Sequence, residues 1–233
     1  MNDRREYSGR TALITGASAG LGKAFCEYYA ERGADIVLVA RRQDKLKLVA
    51  ADLEQRFRTA THVIPLDLSR LDAREAALLA VSEAGLNIDI LINNAGFTIA
   101  DRFVDTEWQR QQDLAMAMMV NVASFCHAFL PGMLERGWGR IINVASNLAW
   151  SPAGIGHTQY PASKAYVMRL SQGLFQETRG TGVNVTAACP GALNIIGLLE
   201  VGFRGSGAGG SDIYACASGF LKQALRETHD IGL

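Results

Sequence analysis

Six short apolar runs recur along this chain, and stretches with helical spacing separate them. The runs are Thr11–Thr15, Ile36–Ala40, His62–Leu66, Ile88–Ile92, Arg140–Ala145 and Val183–Cys189. The first helical stretch is Leu21–Arg32, ended by Gly33. The second is Asp44–Phe57, with apolar residues at Leu46, Val49, Leu53 and Phe57. A third runs to about Ala84 from Ser69-Arg-Leu-Asp72, which has the form of a weak capping box. Thr106–Glu135 and Pro161–Arg179 complete the set. Strands that are apolar on both faces need cover on both faces, and alternating helices supply it around a parallel sheet. Right-handed crossovers then wind the sheet doubly. The expected fold class is α/β: a single-domain, Rossmann-like, doubly wound parallel sheet spanning residues 1–233.

The remaining composition narrows the function classes. Lys plus Arg and Asp plus Glu each number 23. With no basic excess, nucleic acid is not an expected partner. The four cysteines, Cys26, Cys126, Cys189 and Cys216, are far apart, with no C-x-x-C and no nearby His pair. They read as reduced thiols, not as a disulfide framework or a zinc site. The first ten residues are polar, and the longest apolar stretch, 115–130, is interrupted by Asn121, Ser124 and His127. A cytoplasmic protein with no membrane partner is expected. Five glycines fall within 202–211, so 198–211 reads either as a flexible substrate lid or as a plain insertion.

Thr15-Gly-Ala-Ser-Ala-Gly-Leu-Gly22 follows the first strand and opens a helix. Glycines 16, 20 and 22 permit a tight turn and let backbone N–H groups approach a phosphate that no Cβ shields. The helix N-terminus adds partial positive charge at the same place. A glycine loop alone is a weak signal, and its place after the first strand is the confirming context.

Tyr160-Pro-Ala-Ser-Lys164 puts a phenol and an amine four apart, on one helix face. A neighbouring ammonium favours the phenolate, which suits the pair to proton transfer. Ser146 follows the fifth strand, at the carboxyl edge where such sheets bind ligands. Asn121 sits within the long apolar helix, where an amide must either bond backbone or hold a water. Asn93-Asn-Ala-Gly96 closes the fourth strand at the same edge.

These motifs, in this order, resemble the short-chain dehydrogenase/reductase family from about Arg10 to Gly191. The resemblance implies an oxidoreductase that moves hydride between a nicotinamide cofactor and a small carbonyl/alcohol substrate. It makes Tyr160 the general acid/base and Lys164 the group that lowers the Tyr pKa and binds the nicotinamide ribose. Ser146 orients the substrate oxygen, and Asn121 holds a water in the proton relay. The cofactor set it implies is Gly16, Ser18, Ala19, Gly20, Leu21, Gly22, Arg41, Asp67, Leu68, Asn93, Ala95, Gly96, Tyr160, Lys164, Pro190 and Gly191. It also implies a homodimer or homotetramer, and Ala115–Val120 is apolar enough for a helix covered on two faces.

Two departures from the family pattern stand out. Ser146 and Tyr160 are one residue further apart than is commonest, and Ile195 replaces a Thr that contacts the nicotinamide amide. The second strand ends in Ala40, where an NAD enzyme places an acid, and Arg41-Arg42 follows. Either the arginines are plain solvated loop residues or Arg41 holds a 2′-phosphate with help from Ser18. The expected cofactor is therefore NADP over NAD. The substrate wall is expected from Phe97, Asn147, Trp150, His157, Leu193, Leu198 and Phe203, which favours an apolar or amphipathic carbonyl compound. A non-catalytic dinucleotide-binding sensor is the alternative from a different class.

Overall fold

The computed structural model describes residues 6–190. Its strands are β1 (Thr11–Thr15), β2 (Asp35–Ala40), β3 (Thr61–Pro65), β4 (Ile90–Asn93), β5 (Gly139–Val144) and β6 (Val183–Ala188). They form one parallel sheet in the order β3-β2-β1-β4-β5-β6. The order reverses direction between β1 and β4, which opens a crevice at the carboxyl edge of the sheet.

Period-two alternation divides the core into two layers. Ala12 and Ile14 of β1 face α1 (Gly20–Glu31) and α2 (Gln43–Phe57), together with Ile36, Leu38, Ile90 and Ile92. Leu13 points the other way, into a layer with Val37, Leu91 and Ile141. That layer holds α3 (Ala73–Glu83), α4 (Trp108–Ala115) and α5 (Asn121–Glu135). α6 (Gln159–Glu177) packs along β5 and β6, where Val167 and Met168 meet Ala145 and Val122. The spacing read in α2 is the buried stripe Leu46, Val49 and Leu53. Gly33, with φ +89°, turns the chain after α1 as a left-handed residue should.

Three sequence expectations are corrected. Ser69 does not cap α3, which starts at Ala73 with no side-chain cap. Its N–H and hydroxyl both donate to Asp67 Oδ1, at 3.0 and 2.9 Å, so the local turn has captured it. β4 begins at Ile90, not Ile88. Asp89 lies below it, accepting the Thr11 N–H and pairing with Arg10 and Arg136. The long helix is not one regular helix, because a π-helical turn, Met116–Val120, separates α4 from α5. The other elements lie within about two residues of their expected bounds.

Trp108–Glu135 is long and apolar enough, by length and composition, to cross a membrane. Its apolar side is the core layer itself, through Leu114, Met118, Phe125, Phe129 and Met133. Cys26 and Cys126 are buried free thiols, and Cys189 is a half-buried one. Gly191, Leu193, Ile195, Leu198, Phe203, Cys216 and the segment 198–211 lie outside the described residues.

Candidate active site

The glycine loop is shaped by backbone geometry. Gly16 and Gly20 have φ of +69° and +55°, a region that a side chain makes costly. A Cβ on Gly22 would overlap the Gly16 carbonyl oxygen, so this glycine is required by close approach. Thr15 ties the loop to the turn after β4. Its hydroxyl donates to the Ile92 carbonyl and accepts the N–H groups of Asn94 and Ala95 at 2.9 and 3.0 Å. Asn94 Nδ2 returns a bond to the Thr15 carbonyl at 2.9 Å. No side chain caps α1 and no acid sits in its first turn, which leaves N–H donors facing the crevice for an anion.

A cavity of about 770 Å³ runs from this loop to the end of β5. Arg41 and Arg42 stand at one end, and Ser146, Tyr160 and Lys164 at the other. Gly16, Ser18, Ala19, Gly20, Leu21, Asp67, Leu68, Ala95, Gly96 and Pro190 line it as the sequence led one to expect. Gly22 and Asn93 do not line it. Gly22 packs behind Gly16, and Asn93 is buried in the sheet. Asn94, Thr98, Asp113, Ala117 and Met118 line it without having been expected.

Arg42 is the second arginine after β2, and its Nη2 lies 3.4 Å from Ser18 Oγ. The sequence reading had paired Ser18 with Arg41. The dipeptide Arg41-Arg42 carried the signal, and the turn decides which guanidinium faces the loop.

Ser146 follows β5 and is nearly buried. Its hydroxyl accepts the Leu148 N–H at 3.2 Å and donates to Asn147 Oδ1 at 3.3 Å. Tyr160 is the second residue of α6, with Pro161 still in the first turn, where it costs no hydrogen bond. Lys164 lies one turn on, its Nζ 5.5 Å from the Tyr160 ring centroid. Nζ donates to the Val144 carbonyl at 2.7 Å, and only 5% of the residue is exposed.

Burial acts on both groups. It pulls the Lys164 ammonium down to about 8. It raises the Tyr160 phenol above its ordinary value, while the Ser146 hydroxyl acts weakly the other way. The amine faces the Val144 carbonyl, and desolvation dominates the phenol.

Asn121 bonds backbone, the first of its two expected roles. Its Nδ2 donates to the Leu68 carbonyl at 2.6 Å, just after the π-helical turn Met116–Val120. It therefore anchors the loop after β3 and does not line the cavity. Of the expected substrate wall, Phe97, Asn147 and His157 line the cavity, while Trp150 is 63% exposed and outside it.

Residues 10–196 match the short chain dehydrogenase family model. The chain belongs to that family. Very-long-chain 3-oxoacyl-CoA reductase from Bos taurus is 35% identical over 189 residues, 79% of this chain and 59% of the bovine protein. The chain spans about three-fifths of the length of the curated reductases it matches. A short-chain dehydrogenase from Sphingobium yanoikuyae, solved in complex with NADPH, is 31% identical with a TM-score of 0.82. That match covers 93% of this chain and 84% of the other. The bulky-bulky ketone specific alcohol dehydrogenase from Comamonas testosteroni is 34% identical with a TM-score of 0.73, covering 78% and 72%.

NADP fits the cavity on chemical grounds. The uncapped helix end suits the pyrophosphate, and the Arg42–Ser18 pair suits a 2′-phosphate. The cavity volume lies within the usual range for ligand sites.

Proposed function

We propose that this short-chain dehydrogenase is an NADP(H)-preferring oxidoreductase acting on a small carbonyl/alcohol pair. The observation that carries the reading is the single cavity that joins Ser146, Tyr160 and Lys164 to the glycine loop and Arg42. NADPH supplies the hydride when bound. The chain supplies orientation and a proton.

Ser146 holds the substrate oxygen beside Tyr160. Burial keeps the phenol protonated at neutral pH, which is the form that donates to a carbonyl oxygen as electron density builds there. Lys164 binds the nicotinamide ribose hydroxyls and stabilises the phenolate left behind. Asn121 is a positioning residue that holds the Leu68 loop against the adenine side.

Phe97, Leu148 and Met118 in the wall support an apolar or amphipathic substrate. The two relatives named for 3-oxoacyl-CoA and for bulky ketones point to the same class. Val120 is 49% exposed and its neighbours Met116 and Met119 are half-buried, so one side of this helix is left for a second copy. We infer a homodimer or homotetramer from that face, tested by light scattering, where a monomer at micromolar concentration removes it.

The test of the function is NADPH consumption with aryl alkyl ketones and a 3-oxoacyl thioester. Consumption that is faster with NADPH than with NADH supports the reading. Tight NADPH binding with no turnover of any of them leaves the non-catalytic dinucleotide-binding protein in its place.

A further inference from the structure

A buried string of polar groups crosses the reaction half of the sheet. Asn93 at the end of β4 stands directly opposite Asn143 of β5 in the parallel register. Asn93 Nδ2 donates to Asn143 Oδ1 at 2.8 Å, and Asn143 Nδ2 donates to Ser171 Oγ of α6 at 3.0 Å. Ser171 Oγ then donates to the Val167 carbonyl at 2.7 Å. Cys126 of α5 lies against both amides, 3.5 Å from Asn93 Nδ2 and 3.6 Å from Asn143 Oδ1. Asn143 is fully buried and Ser171 is 1% exposed. Neither lines the cavity.

Such a string adds little net stability, because burying polar groups costs nearly what their bonds return. Its physical consequence is position. An apolar strand–helix contact tolerates sliding, while an amide bonded on both sides has one register. Two members of the string connect to the site through their own elements. Asn143 precedes Val144, whose carbonyl holds Lys164, and lies three residues before Ser146. Ser171 is seven residues after Lys164, two turns along the same face of α6.

We propose that Asn143 and Ser171 lock the register of α6 on β5 and thereby set the height of Lys164 at the nicotinamide ribose. They are positioning residues and touch no ligand. The proposal rests on the reading of Lys164 as the ribose-binding group. Loss of the Ser171 hydroxyl leaves Asn143 Nδ2 without its partner and frees α6 to shift. The nicotinamide half of the cofactor then loses affinity, and the adenosine half does not.

Two probes separate these halves: NADPH, and 2′,5′-ADP, which lacks the nicotinamide riboside. Both are titrated calorimetrically into wild type, Ser171→Ala and Lys164→Met. Ser171→Ala should weaken NADPH about tenfold and leave 2′,5′-ADP within about twofold. Equal weakening of both probes shows a general structural role and overturns the proposal, as does no weakening of either. If Ser171→Ala does not fold, the double variant Asn143→Leu/Ser171→Ala replaces it, since it removes the unpaired amide as well, and the same selective loss is expected. Lys164→Met reports on the underlying reading. Selective NADPH loss there without loss in Ser171→Ala overturns the register lock alone. No selective loss in Lys164→Met removes the role of Lys164 and the proposal with it.

Discussion

The two ends of the cavity are built by different means. The nucleotide end is made of backbone: two glycines at positive φ, a glycine in contact with a carbonyl, an uncapped helix end, and one threonine hydroxyl that joins two loops. Its arginines stand exposed at the rim. The reaction end is made of side chains, and two of them are ionisable groups shifted by burial, Lys164 nearly fully buried and Tyr160 half-buried. A phosphate is charged at every working pH, so fixed amides suffice to bind it. Proton transfer needs shifted pKa values, and burial is the means of shifting them. The reaction end therefore costs the fold stability that the nucleotide end does not.

The largest effect expected from this contrast is at Lys164. Its folded pKa of about 8 lies below the ordinary lysine value of 10.5, so the folded protein disfavours the ammonium. That penalty is complete below pH 8 and fades as pH rises toward 10.5. Stability of the cofactor-free protein should therefore rise through this window by up to about 3 kcal/mol. Lys164→Met should raise stability near pH 7 and flatten the rise. Urea melts between pH 7 and pH 9.5 check it, and a wild-type protein whose stability does not change with pH breaks the contrast.

A smaller effect is expected at the rim. Arg42→Ala should weaken NADPH by about 10- to 150-fold, the scale of a charge-assisted bond of about 1.5–3 kcal/mol, and barely change NADH. Arg41→Ala should do less, because Arg42 is the one aligned with Ser18. Calorimetric titration of both cofactors decides, and a preference carried wholly by Arg41 rules out the Ser18–Arg42 pair as the phosphate site.

Gly22→Ala should destabilise by about 1–3 kcal/mol, the usual cost of overpacking, since the new Cβ meets the Gly16 carbonyl and Asn94. It should weaken NADPH and NADH alike, because the cradle serves the pyrophosphate common to both. Loss of NADPH alone contradicts the account of the loop.

The same contrast explains what could be read in the sequence. Glycine spacing reports backbone geometry directly, so Gly16, Gly20 and Gly22 were legible, as was the doubly wound parallel sheet implied by alternating apolar runs. Ser146, Tyr160 and Lys164 were legible as residues but not as a charge state. Charge state depends on burial and on where Nζ points, and here Nζ donates to the Val144 carbonyl. Thr15 and Asn94 are bonded across 79 residues of sequence, and Asn143 and Ser171 across 28. No local pattern marks such pairs. The π-helical turn before Asn121 was hidden as well, since Met116–Val120 carries the apolar residues of an ordinary helix.

The most direct measurement of the central claim is turnover and NADPH affinity of Tyr160→Phe beside wild type, with any ketone the wild type reduces. The ring stays and only the proton-donating oxygen is lost. The account predicts turnover lower by about 10²–10⁴, the scale of general acid catalysis, with NADPH affinity within about twofold. Wild-type turnover by the Phe variant would contradict it.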